Sequence, residues 1–291
     1  MPAPYRGRLA PSPTGFLHAG HAATFLAAAQ RAVSAGGTLI LRNDDLDGAR
    51  CKPEFTRAAL EDLRWLGIEW QEGPDTGGPH APYTQSERLP AYRAAFEELR
   101  RAGWVYPCKC SRKEIASALS APHPSDEEPV YAGTCRPQKP AVFHVPLPAT
   151  NWRFRIPERE CLRFDDLLQG PQQCVAGRDF GDFLVWRKDG FPSYQLASCV
   201  DDSLMHVSEI VRGADLITST FRQLLLWRAM GKPEPAFYHC NLITDATGKR
   251  LAKRDNALAL RSLRAAGWSP GDVASAITEG RLSSLSPPPR P

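Results

Sequence analysis

Two histidines, His18 and His21, flank Gly20 at the end of a loop rich in Pro, Ser, Thr and Gly, PSPTGFLHAGH. An apolar run precedes the loop and an Ala-rich run follows it. A helix starting there has unpaired N–H groups and a positive dipole end, which suit a phosphate. Two imidazoles add donors where negative charge grows in a transition state. Gly20 lets a ligand come close to the backbone. A second group, Lys249, Arg250, Lys253 and Arg254, crowds TGKRLAKRDN. A basic loop of this kind can close over a triphosphate and neutralise a departing pyrophosphate. Taken separately, each pattern also suits a plainer use, a surface turn or a solvated charge cluster.

A third group is built from thiols. Cys108 and Cys110 are followed, after 20 intervening residues, by Tyr131, with Cys135 four positions further on. Three thiolates within 28 residues suit tetrahedral Zn2+, which needs a fourth ligand. Chemistry alone ranks His123, in the same loop, ahead of a phenol. Cys51, Cys161, Cys174, Cys199 and Cys240 are scattered and read as small packing residues.

The elements that must position these groups follow from periodicity. Residues 6–10 read as a short buried strand, 21–34 as a helix ending at Gly36-Gly37, and 38–42 as a second strand. Strand, tight loop, helix, strand is a βαβ unit and implies a parallel sheet. Residues 53–66 and 88–102 carry apolar residues at helical spacing and stop at Gly67 and Gly103. Residues 142–147 and 152–156 alternate like strands. Residues 183–187, 207–211 and 238–243 resume short apolar strands, with a helix at 218–230 between the last two. The resulting division is 1–102 as the first half of a parallel-sheet domain and 103–181 as an insertion bearing the cysteines. Residues 182–260 form the second half with the basic loop, and 261–291 a short helical segment and a disordered Pro-rich tail.

The 36 Lys and Arg against 32 Asp and Glu leave a net charge of +4, and the mean hydropathy is −0.36. Such a balance permits a nucleic-acid partner without demanding one. No apolar run approaches membrane-spanning length, and no secretory signal opens the chain. The expectation is a cytoplasmic protein, a monomer, with no membrane partner.

HAGH and RLAKR together resemble the two signatures of class I aminoacyl-tRNA synthetases. RLAPSPTGFLHAGH followed by LRNDDLD, then SYQLASCVDD and SEIVRGADL, is similar to the glutamyl branch, in order, from Arg8 to about Asn256. Departures are Ala252 for the usual serine, Arg250 for a lysine, and Asp44 for a glutamate. The resemblance implies the class I Rossmann-like parallel α/β sheet with an inserted zinc-bearing α+β subdomain. It implies ATP with Mg2+ and L-glutamate as substrates. His18, Gly20, His21 and Lys253 would handle ATP, with His18, His21 and Lys253 catalytic. Arg8, Ala10, Ser12, Asp44, Tyr194 and Arg212 would line the glutamate site. Arginines suit a ligand with two carboxylates, and Asp44 can pair its ammonium.

The thiol cluster resembles that of the short glutamyl-Q tRNA(Asp) synthetase family, where the pattern C-x-C…Y-x3-C implies Tyr131 as the fourth zinc ligand, with His123 as the alternative. Only 38 residues follow Lys253, which leaves no room for a helical anticodon-binding region. That family activates glutamate without tRNA and places it on queuosine in the anticodon stem-loop of tRNA(Asp). The alternatives are a truncated enzyme that charges the 3′ end of tRNA(Glu), and a non-catalytic tRNA- or amino-acid-binding paralogue.

Overall fold

The computed structural model describes residues 4–110, 130–147, 149–242 and 259–279. In chain order the described strands are β1 (Arg6–Leu9), β2 (Thr38–Leu41), β3 (Val105–Cys108), β4 (Asn151–Phe154), β5 (Cys161–Asp166), β6 (Gly170–Val175), β7 (Phe183–Trp186), β8 (Glu209–Gly213) and β9 (Ala236–Cys240). The helices are α1 (Ala19–Ser34), α2 (Pro53–Trp65), α3 (Leu89–Arg101), α4 (Tyr194–Leu204), α5 (Ile217–Ala229), α6 (Leu260–Ala265) and α7 (Pro270–Thr278).

Two parallel βαβ units carry the site. β1 pairs with β2 from Arg6↔Thr38 to Leu9↔Leu41, and β8 pairs with β9 from Glu209↔Ala236 to Gly213↔Cys240. Each pair is joined through a helix, α1 or α5, as a parallel connection requires. The units meet where Ser208 N–H donates to the Arg6 carbonyl at 2.9 Å and Arg8 Nη1 donates to the Val211 carbonyl at 3.0 Å. α1 buries Ala19, Ala22, Phe25, Ala28 and Ala32, a stripe at helical spacing whose small residues allow close packing. α6 and α7 return to this cluster through Leu260, Leu263 and Val273. The Arg281–Pro291 tail lies outside the described residues.

The middle of the chain is antiparallel. β3, β4 and β7 form one sheet, and the β5–β6 hairpin continues the β9–β8 sheet as β6-β5-β9-β8. Strands from residues 103–181 therefore pair directly with strands beyond residue 182: β4 with β7, and β5 with β9 at Asp166↔Phe237. A shared core follows, with Phe96 against Trp152 and Trp186 at centroid distances of 5.1 and 5.4 Å.

Residues 142–147 form no strand. Phe143, Val145 and Leu147 do pack against the core, so the alternation reports burial. Pro146 within the run offers no N–H to a ladder. α4 and the β5–β6 hairpin were not anticipated. α4 is apolar and acidic at once, and it buries Asp201 and Asp202 beside Leu196 and Val200, which erases helical periodicity. Among the described residues no helix is long and apolar enough to cross a membrane.

Candidate active site

His18 is the N-cap of α1, with extended backbone. Its Nδ1 accepts the Gly20 N–H at 3.1 Å, while His21 Nδ1 accepts the His18 N–H at 3.2 Å. This is a capping box made of imidazoles, where Ser and Glu usually serve. The rings stack with centroids 3.8 Å apart. Since each Nδ1 accepts, the neutral tautomer carries its proton on Nε2. In that tautomer each ring carries an Nε2–H donor at the helix N-terminus. What crowds Gly20 is His18: a Cβ there would lie 2.9 Å from its Cε1. The glycine makes room for the His18 ring.

The basic loop, Lys253 included, lies outside the described residues. The chain re-enters view beside the histidines. Ala259 bridges to His18, and the Leu260 N–H donates to the Leu17 carbonyl at 2.8 Å. Ala259 and Leu260, beyond the loop in sequence, are therefore tied to the histidine motif.

The carboxyl edge of the parallel strands is where ligands bind in such sheets, and here it is strongly charged. Arg8, Arg42, Asp44, Asp201, Asp202 and Arg212 are all buried. Arg42 grips Asp44 with Nε–Oδ1 at 2.6 Å and Nη2–Oδ2 at 3.1 Å, and reaches Asp202 Oδ1 at 2.6 Å. Arg8 Nε pairs with Asp202 Oδ1 at 3.4 Å. Asp201 takes Arg88 Nε at 2.7 Å, Gln85 Nε2 at 2.8 Å and the Tyr92 hydroxyl at 2.8 Å. Burial pushes the Asp44 carboxyl up and the Arg42 guanidinium opposes it. A carboxylate accepts about four hydrogen bonds, so Asp44 keeps lone pairs for a cationic ligand.

Arg212 differs. Its Nε donates to His239 Nε2 at 3.2 Å, Nη1 to Gln223 Oε1 at 2.8 Å and to the Tyr194 hydroxyl at 3.3 Å, and Nη2 to Thr220 Oγ1 at 2.6 Å. Among the described residues none of these partners is a carboxylate. Tyr194, first residue of α4, is 42% exposed and forms the accessible side of this group. Arg8, Arg212 and Tyr194 lie within electrostatic reach of one another. Ala10 is half-buried and Ser12 exposed in the loop after β1, where the Ser12 carbonyl accepts the Thr14 N–H at 2.8 Å.

Sequence reasoning thus names Arg8, Asp44, Tyr194 and Arg212 of this charged group, and misses Arg42, Asp202, Thr220, Gln223, His239 and Asp166. Arg42 stands in LRNDD and passes for a strand end. His239 stands inside an apolar strand run and passes for core.

The cysteine group sits apart, at the end of β3. The Sγ atoms of Cys108, Cys110 and Cys135 all lie within 4.8 Å of one another, with Cys110 and Cys135 at 3.5 Å. The Tyr131 hydroxyl is 3.5 Å from both Cys108 Sγ and Cys110 Sγ. Tetrahedral ligands at ~2.3 Å from zinc stand about 3.8 Å apart, so the spacing fits a metal ion. Arg153 holds the group, with Nε on Cys108 Sγ at 3.3 Å and its guanidinium 3.9 Å over the Tyr131 ring. His123 lies outside the described residues.

Residues 5–279 match the family described as tRNA synthetases class I (E and Q), catalytic domain. The chain belongs to this family, whose class uses ATP and acts on tRNA. It is 49% identical over 271 residues to a glutamyl-Q tRNA(Asp) synthetase of Symbiobacterium thermophilum, covering 92% of this chain and 83% of that one. It is 46% identical over 269 residues to the protein of the same name from Nitratidesulfovibrio vulgaris, covering 90% and 82%. A crystal structure of a glutamate tRNA ligase from Elizabethkingia meningosepticum in complex with its amino acid superposes with a TM-score of 0.75 at 30% identity, covering 87% of this chain. The chain spans about half the length of that ligase, 52%.

Proposed function

We propose that the protein activates L-glutamate with ATP, without tRNA, and transfers it to queuosine in the anticodon stem-loop of tRNA(Asp). The observation that carries the amino-acid half is Arg212, a buried guanidinium whose direct partners among the described residues are all neutral. Such a cation favours a ligand carboxylate. The recipient is supported by identities of 49% and 46% to proteins named for that reaction, against 42% to a glutamate tRNA ligase of Acidithiobacillus ferrooxidans.

In this reading Arg212 and the Tyr194 hydroxyl take one glutamate carboxylate, and Arg8 adds positive potential. Asp44, oriented by Arg42, receives the ammonium. Ala10 and Ser12 line the approach. The α-carboxylate attacks the α-phosphorus of ATP, and pyrophosphate leaves with Mg2+. The Nε2–H groups of His18 and His21, with the α1 N-terminus beside Gly20, stabilise the growing charge, and Lys253 neutralises the leaving group. A queuosine hydroxyl then attacks the acyl carbon and adenylate departs. Zn2+ would be held by Cys108, Cys110, Cys135 and Tyr131, with no open position and so a structural role.

The reading is tested by labelled-glutamate transfer to tRNA(Asp) with and without queuosine. Label on queuosine-bearing tRNA alone supports it. Label on tRNA(Glu), lost when the 3′ end is trimmed, identifies a tRNA-charging enzyme instead.

A further inference from the structure

Behind Arg212 lies a buried pair with no role in the chemistry above. His239 and Asp166 are each fully enclosed, and His239 Nδ1 meets Asp166 Oδ2 at 2.6 Å. Asp166 also accepts the backbone N–H of Leu168 at 3.0 Å, of Gln169 at 2.8 Å and of His239 at 3.1 Å. Burial pushes its carboxyl up, but these donors together outweigh it and hold the group below the usual range, in its ionised form. Burial, and then Arg212, push the His239 imidazole down to about 4, so the ring is neutral near pH 7. A carboxylate at Nδ1 requires the proton on that nitrogen. Nε2 is then a lone pair, and it faces the Arg212 Nε–H at 3.2 Å and Thr220 Oγ1 at 3.0 Å.

We propose that Asp166 and His239 are positioning and specificity residues for Arg212. The neutral imidazole holds the guanidinium in register and keeps the balancing carboxylate one ring away. The cation is thereby left to select a ligand carboxylate over a carboxamide. A carboxylate in direct contact would neutralise Arg212 and compete with the ligand, and an apolar neighbour would leave a buried cation unsupported. The imidazole spacer avoids both. The inference rests on the reading of Arg212 as the glutamate anchor.

Asp166→Asn separates the two ideas. Its amide would donate toward Nδ1 and drive the ring proton to Nε2, setting one donor against another at Arg212. In ATP–pyrophosphate exchange, the KM for glutamate should rise about 10–100-fold, the scale of one hydrogen bond to a charged group. kcat and the KM for ATP should stay within about twofold, and the preference for glutamate over glutamine should shrink by a similar factor. His239→Gln, which keeps a neutral acceptor, should remain within about threefold of wild type by the same measure. Arg212→Gln is measured alongside. If it raises the glutamate KM while folded Asp166→Asn does not, the positioning role is overturned and the anchor stands. If neither changes the KM, both fall. Should Asp166→Asn fail to fold, the 15N spectrum of wild-type imidazoles at pH 7 decides. A Nδ1-protonated ring for His239 supports the proposal, and an Nε2-protonated or doubly protonated ring overturns it.

Discussion

His18 and His21 stack 3.8 Å apart at the head of α1, and each ring uses its Nδ1 to cap the backbone of the helix that presents it. In the proposed reaction the cap and the phosphate donors are the same two side chains. A ring that leaves its capping position therefore also loses its aim.

Gly20→Ala should expose this coupling. The new Cβ would lie 2.9 Å from His18 Cε1, and the His18 ring is the part able to move. Exchange should fall at least about tenfold, a fraction of the 10²–10³ expected for losing a transition-state donor outright. Thermal stability should hold, since Ala is a better helix former than Gly. Unchanged exchange kinetics would separate the ring position from catalysis.

Lys253→Ala should lower exchange by about 10²–10³, the scale of a preorganised charge on a leaving group. The bridge between Ala259 and His18 is the structural motive. Full activity in this variant would remove the lysine from the reaction.

The depressed His239 imidazole makes a pH prediction of definite sign. Its value of about 4 in the fold lies below the ~6.5 of a free imidazole, so between these pH values the unfolded chain binds more protons. Its contribution to stability is complete above about pH 6.5 and is lost as pH falls toward 4. Linkage gives about 2 kcal/mol lost between pH 7 and pH 5 from this group. Urea titrations should show that loss in wild type and a flatter profile in His239→Gln. Identical profiles would mean that the imidazole is not held neutral.

How much of this was readable beforehand depends on whether a residue's role leaves a local pattern. The histidine pair at a helix start did, because strand, Pro-rich loop and Ala-rich helix follow one another in sequence. The thiols did, because C-x-C and a third cysteine stand close together. Tyr194 and Arg212 were reached only through resemblance, since a residue opening a helix and one inside a strand share no spacing. Arg42, Asp202, His239 and Asp166 escaped altogether. They are joined across 160 residues for Arg42–Asp202 and 73 for His239–Asp166, and a buried ion network has no periodicity to read. Residues 142–147 failed in the other direction, because their alternation reflects one packed face and Pro146 denies the ladder.

For the cysteine group, about one zinc per chain is expected in protein purified without added metal. Cys110→Ser should lose the metal and lower the stability of the region around β3 and β4, because binding energy at such a site is folding energy. Exchange should suffer far less than in Lys253→Ala, since the thiols stand apart from the histidine cap. Elemental analysis showing no metal in folded wild-type protein would remove the assignment.

The most direct test of the whole account is the fate of glutamate on an isolated tRNA(Asp) anticodon stem-loop. Enzyme, ATP, Mg2+ and labelled glutamate are incubated with the stem-loop carrying queuosine, the same stem-loop carrying guanine at the wobble position, and full-length tRNA lacking its 3′ terminal nucleotides. The account predicts label on the queuosine stem-loop and on the trimmed queuosine-bearing tRNA, and none on the guanine stem-loop. Transfer that requires an intact 3′ adenosine and ignores queuosine would contradict it.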